Sequence, residues 1–398
     1  MKFSSLVDRI AGEGAAAWDL HAEAAAALDR GEDVILLSVG DPDLDTPEPV
    51  TAAAISALRG GDTHYTEAAG MAPLREAIAR HFSAGAGPAV GPENVCVVPG
   101  AQNGLFFASM LLLQPGDEAL TLEPCYVTYE ATIGASGAKP VMVPTRAADG
   151  FRPDPDAIAA AVTPRTRALL ITNPNNPTGV VMTADELDAI AGIARRHDLW
   201  VVSDEVYEAL CFEGGHRRIA ALPGMAERTV TVSSLSKSHA MTGWRAGWLV
   251  GPEPLMHHAI NLALCVLYGM PGFVQQAMMV ALEQSATSSR HIREVLRRRR
   301  DLVVAQLSGC PGLRVLAPQA GMFVMVDVRG TGLGSGEFAR RLYDEQGVSV
   351  LDGSAFGPGA AGHVRLSFTD DEARLEEACR RIRGFCGSLG GEGELAHG

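Results

Sequence analysis

At 398 residues, 47% of them hydrophobic, the chain is long enough for two cores sharing an interface, and its composition excludes global disorder. Lysine and arginine total 33 against 47 aspartates and glutamates, and the resulting charge of −14 argues against a nucleic-acid partner. Seven dispersed cysteines without a CxxC spacing read as reduced thiols rather than a disulfide scaffold or zinc site, and no metal is expected.

The N-terminal stretch reaches Asp8 and Glu13 without an apolar core, so no signal peptide is expected. No uncharged apolar run approaches the roughly 18 residues that a membrane span needs, so the expectation is a cytoplasmic protein with no membrane partner. Between about Val95 and Val250, short apolar strands alternate with helical patterns. Val95–Val98, Glu118–Leu122, Ala168–Thr172, Leu199–Asp204 and Thr229–Ser233 are predicted strands. A helix is predicted over Thr183–His197, where Leu187, Ile190 and Ile193 recur at near-helical spacing. Nearly continuous apolar strands of this kind predict an α/β fold with a mostly parallel central sheet, covered on both faces.

Beyond about residue 285 a long helix, further short strands and a final helix predict a smaller α+β domain. The expected organisation is an N-terminal arm at 1–45 packing with the small domain, a large domain at 46–285, and the small C-terminal domain at 286–398. The run Arg297-Arg298-Arg299-Arg300 falls on that long helix and reads as a solvated face.

In an α/β sheet, polar residues at the C-terminal ends of the strands line the ligand crevice. Ser234-Leu235-Ser236-Lys237 with Arg245 joins an amine nucleophile to hydroxyls and a guanidinium fork, a set suited to an aldehyde that carries a phosphate. Gly100-Ala101-Gln102 would open a helix whose N–H groups approach that phosphate, although a plain strand-to-helix turn looks the same. Tyr126 is placed to stack on a flat ring or to be an ordinary aromatic. Asn173-Pro174-Asn175-Asn176-Pro177 forms a stiff loop that aims its amides. Asp204 can hold a pyridine nitrogen protonated, or cap a turn; Tyr207 follows one turn on.

Together these motifs resemble the fold type I pyridoxal-phosphate aminotransferases of the aspartate aminotransferase superfamily, over nearly the full length from Ser38-Val39-Gly40-Asp41-Pro42-Asp43 to Val364-Arg365-Leu366. The resemblance implies pyridoxal 5'-phosphate as cofactor, with pyridoxamine 5'-phosphate as its intermediate form, and Lys237 as the residue that attaches it and moves the substrate proton. It also implies that Asp204 pairs with the pyridine nitrogen and that Asn176 and Tyr207 flank the ring oxygen. Tyr126 would stack on the ring, and Ala101, Gln102, Ser234, Ser236 and Arg245 would surround the phosphate. Arg365 would clamp the substrate carboxylate, with Gly40 and Asn176 assisting. Tyr65 would reach the cofactor of a partner subunit, so a homodimer with shared sites and a ping-pong exchange of amino and oxo acids are implied.

Within that superfamily the chain more closely resembles the arginine–pyruvate transaminases and related guanidino amino acid aminotransferases. The residues that carry this are 12–21, with Trp18 and Asp19, together with Glu123–Glu130, Ser234–Arg245, Asn261–Gly269 and Ala355–Pro358. The expected donor is therefore a cationic or guanidino amino acid, arginine or a cyclised derivative, with a small oxo acid such as pyruvate as acceptor. Trp18, Asp19 and Asp352 are candidate substrate contacts. Asp352 is expected near Arg365, or as a turn residue bonded to its own backbone. Aromatic or aliphatic donors, and lyase or oxidative deaminase chemistry on the same frame, are the alternatives.

Overall fold

The computed structural model describes residues 2–11, 18–84 and 87–395. Its largest sheet has seven strands in the order Val95–Pro99, Ala246–Val250, Thr229–Ser234, Trp200–Asp204, Thr166–Thr172, Glu118–Glu123 and Lys139–Pro144. Ala246–Val250 runs antiparallel to both neighbours, while the remaining pairings are parallel. Strands such as Glu118–Glu123 and Thr229–Ser234 are buried along their whole length, as expected where helices cover both faces.

Two of these strands were not among the predicted ones, for physical reasons. Lys139–Pro144 lies at the sheet edge and carries Pro140 and Pro144, which the edge tolerates because a missing donor there faces no neighbour. Ala246–Val250 contains Gly247, which weakens a strand signal. A Cβ at Gly247 would lie 2.7–2.9 Å from the Gly100 and Ala101 backbone, so only glycine lets these two segments meet.

The predicted helix at 183–197 spans Ala184–Arg196. Thr183 Oγ1 accepts from the Glu186 N–H and Glu186 Oε2 accepts from the Thr183 N–H, a capping box that fixes where the helix starts. Leu187, Ile190 and Ile193 are buried against the sheet.

A second sheet, of four strands, is ordered Leu351–Asp352, His363–Ser367, Phe323–Asp327 and Arg314–Leu316. Its core includes Val324, Leu366, Phe338 and Phe385, and also Ile35 and Leu37 from near the N-terminus. Ile35–Leu36 pairs in parallel with Val348–Ser349, which ties the start of the chain to this C-terminal layer.

The arginine run corrects one expectation. It lies on the helix Ser285–Leu307, but Arg299 and Arg300 are buried rather than solvated. Arg299 donates two bonds to Asp43, at 2.6 and 2.8 Å. Arg300 bonds Glu213 and the Pro318 carbonyl and sits over the Phe212 ring. The run spans exposed and interior faces of one helix, and the interior members Arg299 and Arg300 clamp loops from elsewhere in the chain.

Candidate active site

The C-terminal ends of the parallel strands converge with the N-terminal end of Ala246–Val250, because that strand runs the opposite way. Arg245, immediately before it, therefore reaches the same edge as Gly100, Thr172, Asp204 and Ser234. A cavity of about 260 Å3 opens there. Of the predicted residues, Trp18, Gly40, Ala101, Gln102, Tyr126, Asn176, Asp204, Tyr207, Ser234, Ser236, Lys237, Arg245 and Arg365 all line it.

Gly100 has φ +81, and a Cβ there would stand 2.4 Å from Arg245 Nη2. Its absence lets the helix Ala101–Leu112 begin against the guanidinium, with first-turn N–H groups that have no intrahelical acceptor. Gln102 is held from both sides: its Nε2 donates to Thr132 Oγ1 at 2.9 Å and its Oε1 accepts from Thr128 Oγ1 at 2.9 Å. Ala240 and Arg245, at φ 50 and 54, place left-handed backbone on both sides of the Met241–Trp244 turn, and such local strain concentrates at functional loops.

Lys237 Nζ donates to the Gly40 carbonyl at 2.7 Å. Gly40 allows this approach because a side chain there would collide with Phe323, 2.2 Å from the Cβ site. Burial pushes the Lys237 amine down to about 8; Asp41 opposes that, and the Arg365 and Arg245 guanidiniums add to it. A lysine so placed reaches its neutral, nucleophilic form near physiological pH.

Asp204 is buried, and burial pushes its carboxyl up to about 6 despite two stabilising bonds. Tyr129 Oη donates to Oδ2 at 2.7 Å, and the Val206 N–H reaches Oδ1 at 3.3 Å. The capping given as the alternative for Asp204 is made by Oδ1, the opposite oxygen from the one the tyrosine bonds. Tyr129 and Thr172, whose hydroxyls lie 2.5 Å apart, are site residues that the sequence reading missed. The available signal was the spacing of Tyr126 and Tyr129, one helical turn apart. Beneath Asp204, Glu205 and Glu208 both bind the buried Arg218 guanidinium. His216 joins them, with one ligand atom from each of Glu205, Glu208 and His216 lying within 4.8 Å of the others.

Arg365 is 1% exposed and contacts no carboxylate among the described residues. Its Nη1 donates to Asn176 Oδ1 at 3.1 Å and its Nη2 to the Ser38 carbonyl at 2.8 Å, while the Phe323 and Phe356 rings pack on its faces. Asn176 Nδ2 in turn donates to Tyr207 Oη at 3.4 Å. Burial pushes the guanidinium down to about 10, so it is a cation held without a full counter-charge.

Three predicted residues stand outside the cavity. Tyr65 is 86% exposed, with its ring 5.0 Å from that of Tyr268. Asp19 and Asp352 line a neighbouring chamber of about 560 Å3. Asp352 lies near Arg365 along the chain pairing, opposite Val364, but its carboxylate accepts from Ser354 N at 3.0 Å and Ser354 Oγ at 2.5 Å, the turn role given as its alternative. Pairing of Leu351 opposite Arg365 puts Asp352 one residue out of register. Of the segment 12–21 that suggested a guanidino substrate, residues 12–17 lie outside the described residues.

Comparison with known proteins agrees with this geometry. The family Aminotransferase class I and II matches residues 32–382. The arginine–pyruvate transaminase AruH of Pseudomonas aeruginosa is 53% identical over 382 residues, covering 96% of this chain and 97% of that protein. The aromatic-amino-acid aminotransferase 2 of Thermococcus litoralis is 38% identical, covering 88% of this chain and 91% of its own length. The solved aspartate aminotransferase of Thermus thermophilus with maleate superposes with a TM-score of 0.91 at 37% identity, covering 96% of this chain and 99% of that one.

Proposed function

We propose a function from one premise: the chain belongs to the class I and II aminotransferases, and is an enzyme. Our reading is that it binds pyridoxal 5'-phosphate and moves an amino group from a cationic or guanidino 2-amino acid, such as arginine or a cyclised derivative, to a 2-oxo acid such as pyruvate.

The residues fit that cofactor. The free first-turn N–H groups at Ala101 and Gln102, with Ser234, Ser236 and Arg245, suit a phosphate. Asp204, buried and turned toward the cavity, suits a protonated ring nitrogen, and Asn176 with Tyr207 suits an oxyanion on the ring. When bound, the cofactor supplies an electron sink for the pair left as the Cα–H bond breaks. Asp204 keeps its ring nitrogen positively charged, and Tyr129 holds that carboxylate in place. The neutral Lys237 Nζ takes the proton from the substrate Cα and is positioned to return one. Arg365 fixes the α-carboxylate as a planar fork, with Asn176 behind it.

One observation carries the reading: Arg365, fully buried in the cavity that Lys237 also lines, bonds no carboxylate among the described residues, which suits a substrate anion. The guanidino donor is supported by 53% identity to an arginine–pyruvate transaminase. It is further supported by Arg340, the cation lining the adjoining chamber, which already pairs with Glu23 and Asp344. Exposed Tyr65 and Tyr268, side by side, support a homodimer in which Tyr65 serves the partner's site. Reduced cysteines and the lack, among the described residues, of a helix long and apolar enough to cross a membrane accord with a cytoplasmic setting.

The test is a half-reaction. Arginine alone should release one equivalent of its oxo acid per site and then stop, and pyruvate alone should restore the starting spectrum. Continuous release of ammonia without an acceptor would assign deaminase or lyase chemistry instead. Equal efficiency with leucine or phenylalanine would defeat the cationic preference.

A further inference from the structure

The chamber beside the cofactor cavity holds a chemistry that the cavity lacks. It encloses about 560 Å3 and shares Tyr126 with the cavity, so the two adjoin at the ring-stacking residue. The charged residues that line it are Asp19, Glu123, Glu130, Asp352 and Arg340. Arg340 is neutralised from outside the chamber, donating to Glu23 at 2.6 and 3.2 Å and to Asp344 at 3.0 Å. Asp352 is committed to its own turn. Asp19 and Glu130 are exposed and form the rim, where Glu130 also suits the first turn of the helix Tyr129–Ala135.

Glu123 is different. It is only 6% exposed, at the end of its strand, yet it lines the chamber. The hydrogen bonding of its carboxylate is confined to the Gly359 N–H on Oε1. Among the described residues, Oε2 has no hydrogen-bond partner and no lysine, arginine or histidine pairs with the group. Oε2 opens onto the chamber and is hydrated there, so a side chain that fills the chamber displaces that hydration, and a cation replaces it where a neutral group does not.

We propose that Glu123 determines donor specificity by receiving the cationic end of the substrate side chain in this chamber, with Asp19 and Glu130 drawing it in from the rim. This rests on the guanidino reading of the donor given above. A guanidinium presents the planar fork that a carboxylate matches, whereas a neutral side chain of the same length leaves Glu123 buried and unpaired. The competing role for Glu123 is structural. Gly357 and Gly359 pack directly on its carboxyl group, and it would then only hold that turn.

A first measurement needs no variant. In the holoenzyme, titration calorimetry compares 5-guanidinovalerate, an arginine analogue without the amino group, with its neutral ureido counterpart. The guanidino compound should bind on the order of 30-fold tighter; equal affinity would overturn the proposal. Glu123→Gln keeps an acceptor for the Gly359 N–H. It should erase that preference and lower kcat/KM for arginine on the order of 30-fold, while citrulline changes less than about threefold and the cofactor spectrum is unaltered. Equal losses on arginine and citrulline would give Glu123 the structural role and overturn the proposal. A wild-type enzyme that turns over no cationic donor would refute the substrate reading, while the guanidino-to-ureido affinity ratio would still decide the chamber.

Discussion

Asp204→Asn isolates the electrostatic design of the site. Burial moves this carboxyl from 3.8 to about 6, even with Tyr129 and Val206 bonded to it. Below pH 3.8 the group is protonated in folded and unfolded chains alike. As pH rises from there to about 6, the folded chain keeps a proton that the unfolded chain has released, so this group's contribution to stability falls through that window. Above it the full difference stands, about 3 kcal/mol at about 1.4 kcal/mol per pKa unit. Asparagine carries no charge at any pH and retains an oxygen for the Tyr129 hydroxyl, while it loses the weaker bond from Val206. The cofactor-free variant should therefore be about 2–3 kcal/mol more stable than the parent near pH 7.5, with the gap closing toward pH 4. Urea unfolding of both cofactor-free proteins between pH 4 and 8 measures it. A stability difference that stays constant with pH would refute the argument. In the holoenzyme the same change removes the charge on which the ring nitrogen depends, and turnover should fall by on the order of 10²–10³.

Lys237, pushed down to about 8, should make cofactor attachment to the cofactor-free chain about tenfold faster at pH 9 than at pH 7 and then level off; stopped-flow absorbance that keeps climbing past pH 9.5 would contradict this. Arg365→Lys loses the planar fork and leaves Asn176 Oδ1 and the Ser38 carbonyl without their donors, so kcat/KM should drop on the order of 100-fold for donor and acceptor alike with the cofactor spectrum preserved. Arg299→Met breaks a two-bond pair with Asp43, whose side chain is 32% exposed, and should cost about 1–3 kcal/mol in urea unfolding. Arg298→Met, at a side chain 56% exposed, should stay within about 0.5 kcal/mol, and equal effects at the two positions would contradict their assignment to different helix faces.

What the sequence made legible follows the range of the interaction involved. Strands such as Glu118–Glu123 announce themselves through local apolar runs, and the residues at their ends could be placed because strand ends in such sheets converge. Ala246–Val250 was not legible, since its glycine answers to a backbone approach from Gly100, nearly 150 residues away in the chain. The arginine run misled for the same reason: four like charges look solvated until Asp43 and Glu213 arrive from distant loops. Tyr129 could have been suspected from its spacing to Tyr126, but its bond to Asp204 spans 75 residues.

Glu123 is the limiting case. It sits inside the Glu123–Glu130 motif that suggested a guanidino donor, beside Pro124 on a buried strand, where its side chain reads as one more strand-end residue. Its meaning depends on something no local pattern encodes: among the described residues of the folded chain no cation pairs with it. Arg365 has the mirror-image property, a buried cation that bonds no carboxylate among the described residues. An arginine-like substrate carries an α-carboxylate at one end and a guanidinium at the other. The fold sets Arg365 in one space and Glu123 in the adjoining one, and the two spaces share Tyr126. A donor lacking either end leaves one of those buried charges unpaired, and that penalty gives the site a basis for selecting its substrate.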